Sequence, residues 1–355
     1  MTAPTPCPFH RSGEPERAAL PQEHPPVADQ KVGVLLVNLG TPDALDYRSV
    51  RRYLSEFLSD RRVIELNPLL WQPILQGPIL TFRPKKSARA YAKIWNRELD
   101  ESPLRTVTRA QSDALAARLS SGELLVDWAM RYGNPSIASR LATLVEGGAS
   151  RVLIFGLYPQ YASSTTATVY DKAFEALTKL RWQPAVRTVP PFHDDPVWID
   201  AIVASIRAHL ATLEQQPEVL LTSFHGLPQE YVDKGDPYRC QCAKSARLIG
   251  EALGWEADRV RLVFQSRFGP AEWLRPYADQ TVVELAKEGV QHLAVVTPGF
   301  FADCVETLEE VDLGLRESFL AAGGTSFATV PCLNASRAGI DVLEAIVRRE
   351  LSGWW

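Results

Sequence analysis

One histidine and one row of carboxylates are the side chains of this sequence best suited to moving protons or divalent metal. His225 closes the segment Leu220-Leu221-Thr222-Ser223-Phe224-His225-Gly226-Leu227-Pro228. The apolar run Val219 to Leu221 predicts a buried parallel strand. Gly226 permits a tight turn, and Pro228 cannot donate to a sheet ladder, so the strand ends between them. His225 is thereby held at the carboxyl end of a strand, the rim where open α/β sheets take their ligands. An imidazole there can accept a proton or bind a metal near neutral pH. A lone histidine is equally often a satisfied core residue, so the carboxylates matter. Asp303, Glu306 and Glu310 are spaced i, i+3, i+7 within Phe300 to Asp312. An α-helix would put them on one face, with Glu309 and Asp312 to one side. Like charges this close raise one another's pKa, and such a row costs stability unless it binds cations or shares protons. The plainer account is the solvated first turns of a helix, where acids suit the macrodipole.

The elements that must position these groups are legible as apolar runs. Lys31 to Leu39, Leu124 to Tyr132, Arg151 to Leu157, Ala185 to Val189 and His292 onward each read as a strand. A helix after Thr41-Pro42 carries Val50, Tyr53, Leu54, Phe57 and Leu58 on one face. Asn134 is the expected N-cap and Pro135 the expected first residue of the next helix. The hydroxyl run Ser163 to Thr166 is expected to cap a further helix or to cradle a carboxylate. The second half repeats the first in outline: LLVNLGTP against LLTSFHGLP, and RVLIFGLYPQY against HLAVVTPGFF. The expected fold is therefore α/β, with two similar Rossmann-like, doubly wound parallel-sheet halves facing a central cleft. The expected units are a disordered tail over 1–30, halves over 31–192 and 193–335, and a C-terminal helix over 336–355 that packs back on the first half. Leu66 to Phe82 is very apolar but broken by Pro68, Pro73 and Pro78; it is too interrupted for a membrane span. It reads as an irregular connection, either buried or forming an apolar lip flanked by Arg83, Lys85 and Lys86.

Composition sets the outer bounds. The chain has 355 residues, a net charge of −4, 46% apolar and 23% charged residues. That is a soluble globular balance with no basic footprint for nucleic acid. The five cysteines, Cys7, Cys240, Cys242, Cys304 and Cys332, are odd in number and thinly spread, which suits reduced thiols in the cytoplasm. Cys7 and His10 in the tail are read as accidents of composition.

From about Val32 to the C-terminus, the sequence resembles the ferrochelatases, enzymes that insert ferrous iron into a porphyrin to make haem. The markers are NLGTP, RYGNP, LYPQYASSTT, SFHGLP followed by KGDPY, FQSRFGP with Trp273, and TPGFFADCVETLEE. The resemblance implies that His225 and Glu306 are the paired catalytic and metal-handling residues, on the two sides of a porphyrin pocket. It implies an acidic path through Glu310 and Asp303. It matches Leu39, Arg131, Tyr132, Ser164 and Trp273 to porphyrin-side positions, and the 66–82 segment to a lip that contacts membrane. The implied substrates are Fe²⁺ and protoporphyrin IX, with two protons released; the apolar lip favours this ring over coproporphyrin or a more carboxylated tetrapyrrole. A non-catalytic haem or metal carrier would share the cleft but leave the histidine–carboxylate pairing idle. Some relatives ligate a [2Fe–2S] cluster through a cysteine in the PQYxxST loop and a C-terminal cysteine triplet. Here Ser163 stands in that loop and the sequence ends Trp354-Trp355, so no such cluster and no permanently bound cofactor is expected. Cys304 stands where relatives often carry a histidine. The expected setting is cytoplasmic, peripheral on the inner face of the membrane, as a monomer or weak dimer.

Overall fold

The computed structural model describes residues 30–119 and 122–355. Except for Gln30, the tail expected over 1–30, with Cys7 and His10, lies outside the described residues. Among the described residues, eight strands form two sheets. β1 (Lys31–Gly40), β2 (Leu124–Tyr132), β3 (Ala149–Gly156) and β4 (Ala185–Thr188) make one; β5 (Val219–His225), β6 (Val260–Gln265), β7 (His292–Val296) and β8 (Ser326–Thr329) make the other. Every pairing is parallel, and the orders β2-β1-β3-β4 and β6-β5-β7-β8 are the same permutation. The duplicated outline of the sequence is thus a duplicated topology.

The helices follow in chain order: α1 (Tyr47–Ser59), α2 (Pro68–Ile74), α3 (Leu80–Ile94), α4 (Pro103–Arg118), α5 (Ile137–Glu146), α6 (Thr168–Leu177), α7 (Pro196–Leu210), α8 (Gln229–Asp233), α9 (Tyr238–Leu253), α10 (Ala278–Lys287), α11 (Arg316–Ala321) and α12 (Arg337–Glu350). Covered on both faces, β1 buries a continuous apolar run, as parallel strands do. Leu35 and Val37 face α5 and α6. Val34 and Leu36 face a larger core shared with β3, α7 and α12. Leu220 of β5 and Ala294 and Val296 of β7 enter that same core, while Val219 and Leu221 turn to α10 and Phe319 of α11. Each sheet therefore gives one face to a common interior. The carboxyl end of α12 is tied to the first half: Arg151 donates to the Trp354 carbonyl at 3.1 Å, and the Arg187 guanidinium lies 4.2 Å from the Trp354 ring centre.

Three local expectations are corrected. The 66–82 segment is helical, running through α2, a π-helical turn (Leu75–Ile79) and α3, with its break at Gly77 (φ −81°, ψ −106°). Pro68 sits in the first turn of α2, where no N–H is missed. Ser136, not Asn134, caps α5, and Asn134-Pro135 precedes it as a cis bond. The hydroxyl run caps nothing. It forms its own π-helical turn (Ser163–Ala167) leading into α6 without a side-chain cap.

Candidate active site

His225 ends β5, paired in register with Gln265 of β6. Its Nδ1 lies 2.6 Å from the Gly226 carbonyl oxygen. A carbonyl only accepts, so Nδ1 carries a proton, and in the neutral ring Nε2 is then the nitrogen with the lone pair. The turn is tight: a Cβ on Gly226 would lie 2.8 Å from the Gln265 carbonyl oxygen and 3.0 Å from the Trp273 ring. Trp273 is buried and packs 4.9 Å, centre to centre, from Phe268. It forms the floor beneath the histidine turn.

The acidic residues divide. Glu306–Leu315 is a π-helix, not the α-helix expected, and Asp303 lies outside it. Asp303 accepts from Thr307 Oγ1 at 2.9 Å and Asn334 Nδ2 at 2.6 Å, which fixes the helix entry. Glu306 and Glu310 share the wider coil, a geometry frequent at functional sites. Burial pushes the Glu310 carboxyl above its usual range, and neighbouring Glu306 adds to that; hydrogen bonds from Ser266 and the nearby His225 pull the other way. His225 and Glu306 thus each lie within electrostatic reach of Glu310. Both catalytic candidates come from the second half of the chain.

What meets Glu306 from the first half is a set of phenols. Tyr53 and Tyr91 are buried and Tyr158 is half-buried; removal from water raises the pKa of each, with Glu306 adding to it. Gly40, Thr41, Tyr91, Ser102 and Cys304 border Glu306 around a crevice of about 10 Å³, room for about one water. Gly40 is required there: at φ +118° a Cβ would stand 1.9 Å from the Tyr132 carbonyl oxygen. Burial also pushes the Cys304 and Cys332 thiols well up, so both behave as small apolar residues. Cys240 and Cys242 lie on α9. Among the described residues, no three His, Cys, Asp or Glu side chains are grouped to hold a metal ion.

Arg131 and Tyr132, at the end of β2, are engaged with each other and with α1. The Arg131 guanidinium lies 4.2 Å from the Tyr132 ring centre and pairs with Asp60, which also accepts from Tyr132 at 2.8 Å and from Thr168. Burial alone would raise the Asp60 carboxyl; the donors around it outweigh that and hold it below the usual range. Arg131 also borders an open basin of about 620 Å³ with Arg48, Arg51, Arg52 and Lys172. Leu39 is half-buried at the end of β1, where two core clusters meet. Ser164 is half-buried in the π-helical turn, whose loop is clasped from the second half: Ser163 N–H donates to Asp236 at 2.7 Å, and Tyr161 N–H to Gln241 at 2.7 Å.

The sequence matches the ferrochelatase family profile over residues 31–351. The chain belongs to the ferrochelatase family. It is 61% identical to a ferrochelatase of Rhizobium meliloti over 334 residues, covering 94% of this chain and 98% of that one. A ferrochelatase of Agrobacterium fabrum is 59% identical over 340 residues, covering 96% and 99%. SirB of Bacillus subtilis, solved with Fe³⁺, shares the fold at a TM-score of 0.54 and 12% identity, covering 91% of this chain and 98% of that one. The protein is therefore an enzyme, a lyase-type chelatase of tetrapyrroles.

Within this ferrochelatase frame, Arg83 is more than a flank of the apolar lip, and two further residues join the site. Arg83 is half-buried; its guanidinium lies 5.1 Å from the Phe268 ring centre, and burial lowers its pKa with no carboxylate paired to it among the described residues. Gln265 and Ser266 end β6, a strand the sequence reading did not identify. Its FQSRFGP stretch was noticed only as a family marker.

Proposed function

We propose that this ferrochelatase inserts Fe²⁺ into protoporphyrin IX and releases two protons, forming protohaem at the last step of haem biosynthesis. The observation that carries the reading is the pinned imidazole: with Nδ1–H held on the Gly226 carbonyl, Nε2 is free to accept. The two pyrrole N–H groups of the free base must lose their protons as the metal enters. A ring bound bent toward the transition state exposes its nitrogen lone pairs. His225 takes a pyrrole proton, and Glu306 with Glu310 relays the coupled charge. Burial raises the Glu310 pKa, which makes its carboxylate a better proton acceptor than a solvated one. Imidazole suits Fe²⁺ and carboxylate suits protons and hard cations, so His225 and Glu306 can also hand over the metal. In this reading the ring stands between the second-half pair and the first half, where Leu39, Ser164, Arg131 and Tyr132 lie. Trp273 packs below it, and the unpaired Arg83 meets a ring carboxylate.

The apolar residues left outside support protoporphyrin over coproporphyrin and a peripheral membrane setting. Leu69, Leu70 and Phe82 are 84%, 71% and 74% exposed on α2 and α3. No helix among the described residues is long and apolar enough to cross a membrane. We place the enzyme on the cytoplasmic membrane face, resting on this lip, with no resident iron–sulfur cluster. The test is direct. Mixed anaerobically with Fe²⁺, the protein should metallate protoporphyrin faster than coproporphyrin, followed by absorbance. Tight binding without conversion would make it a carrier, and a preference for coproporphyrin would overturn the ring assignment.

A further inference from the structure

The end of β6 touches the His225 turn, Glu306 and Glu310. The Gly226 N–H, one residue past His225, donates to the Gln265 carbonyl at 2.7 Å. The Gln265 amide is buried; its Oε1 accepts from Ser223 of β5 at 2.7 Å, which turns its Nε2 onto the Glu306 carbonyl at 3.0 Å. The next residue, Ser266, gives both of its donors to Glu310. Its N–H reaches Oε1 at 2.7 Å, and its hydroxyl binds Oε2. It can do so because its backbone is left-handed, at φ +67°. That region is costly for a residue bearing a Cβ, and such outliers persist where surrounding structure holds them, often at functional sites. Two donors from one residue fix both carboxylate oxygens, and hence the plane of the carboxyl group as well as its position.

We infer that Gln265-Ser266 is the positioning element of this site: it hangs the His225 turn and the Glu306–Glu310 helix from a single strand end, and Ser266 sets the orientation of the Glu310 carboxylate. The inference rests on the metallation reading given above. Holding reacting groups to within a fraction of an ångström changes turnover far more than it changes ring binding. Ser266 is therefore a positioning residue, acting through Glu310.

Ser266→Gly is the first test, because glycine keeps the N–H and favours positive φ while removing the hydroxyl together with its Cβ. The variant should fold with a Tm no lower than wild type. Its kcat for porphyrin metallation should fall by about tenfold or more, with porphyrin Kd and KM unchanged within about twofold. Ser266→Ala, which also loses the hydroxyl but keeps the Cβ, should show the same split. A crystal structure of Ser266→Gly should show the Glu310 carboxylate rotated or in more than one orientation. Wild-type kcat in both variants, or parallel losses in kcat and porphyrin affinity, would overturn the inference. So would an unmoved Glu310 carboxylate, whatever the turnover. Failure of the wild type itself to metallate porphyrin would strike the activity reading instead, and the position of Glu310 in the variant structure would still decide this one.

Discussion

Individual side chains in this molecule do their work in pairs with backbone. His225 is legible from sequence because an apolar run, a glycine and a proline bracket it. Its tautomer is not, since that depends on a single contact with the Gly226 carbonyl. Arg131 and Tyr132 were also legible as rim residues, but their engagement with Asp60 was not: α1 brings Asp60 to them across 71 residues of sequence. That clasp makes a prediction. Asp60 and Arg131 are each 9% exposed. Asp60→Asn leaves the buried guanidinium only the longer pairing with the exposed Glu56, at 3.9 Å, and should cost roughly 3 kcal/mol at neutral pH. The sign with pH follows from the lowered carboxyl. The unfolded chain binds its proton more readily than the folded one. The clasp's contribution is thus full above the unfolded value and fades as pH falls through the lower, folded one. Urea unfolding of wild type and variant should show a gap at pH 7 that narrows below about pH 4. A gap constant with pH would mean that the charge on Asp60 is irrelevant.

Among the elements, strands buried on both faces were readable and the segments around the site were not. β1, at the centre of its sheet, announces itself as a near-continuous apolar run. β6 does not: its exposed Arg261 interrupts VRLVFQ, and the strand at the sheet's edge carries the Gln265-Ser266 bracket. The i, i+3, i+7 spacing of Asp303, Glu306 and Glu310 assumed an α-helix. The π-helix keeps the two glutamates together and drops Asp303 into a supporting role with Asn334. Prolines made 66–82 look irregular, yet the chain absorbs them in helices broken only at Gly77. The outcome matters because a helix can present Leu69, Leu70 and Phe82 outward together. Replacing all three with serine removes most of that exposed apolar surface without touching the core. Co-sedimentation with vesicles containing anionic lipid should drop by about tenfold or more at unchanged Tm. Undiminished sedimentation would show that the lip is not the membrane contact.

At the scale of the whole molecule, the two sheets repeat one topology but divide the labour. The second half supplies His225, Glu306, Glu310 and the bracket that holds them. The first half supplies phenols against Glu306 and the Arg131–Asp60 clasp. The common core, which takes one face from each sheet, holds the two in register. The repeat was visible in sequence because buried parallel strands keep their apolar character when their residues diverge. The division of labour was invisible because it rests on which side chains meet across the core. The account depends most on His225 and Glu306 acting as one unit on one ring. The most direct test is a cycle of His225→Ala, Glu306→Gln and the double variant, each assayed for porphyrin metallation and for porphyrin binding. Each single change should lower kcat by about 100-fold or more. The double should be little worse than the more damaged single, with ring affinity retained throughout. Losses that multiply in the double variant, or a His225→Ala enzyme that turns over like wild type, would contradict the claim.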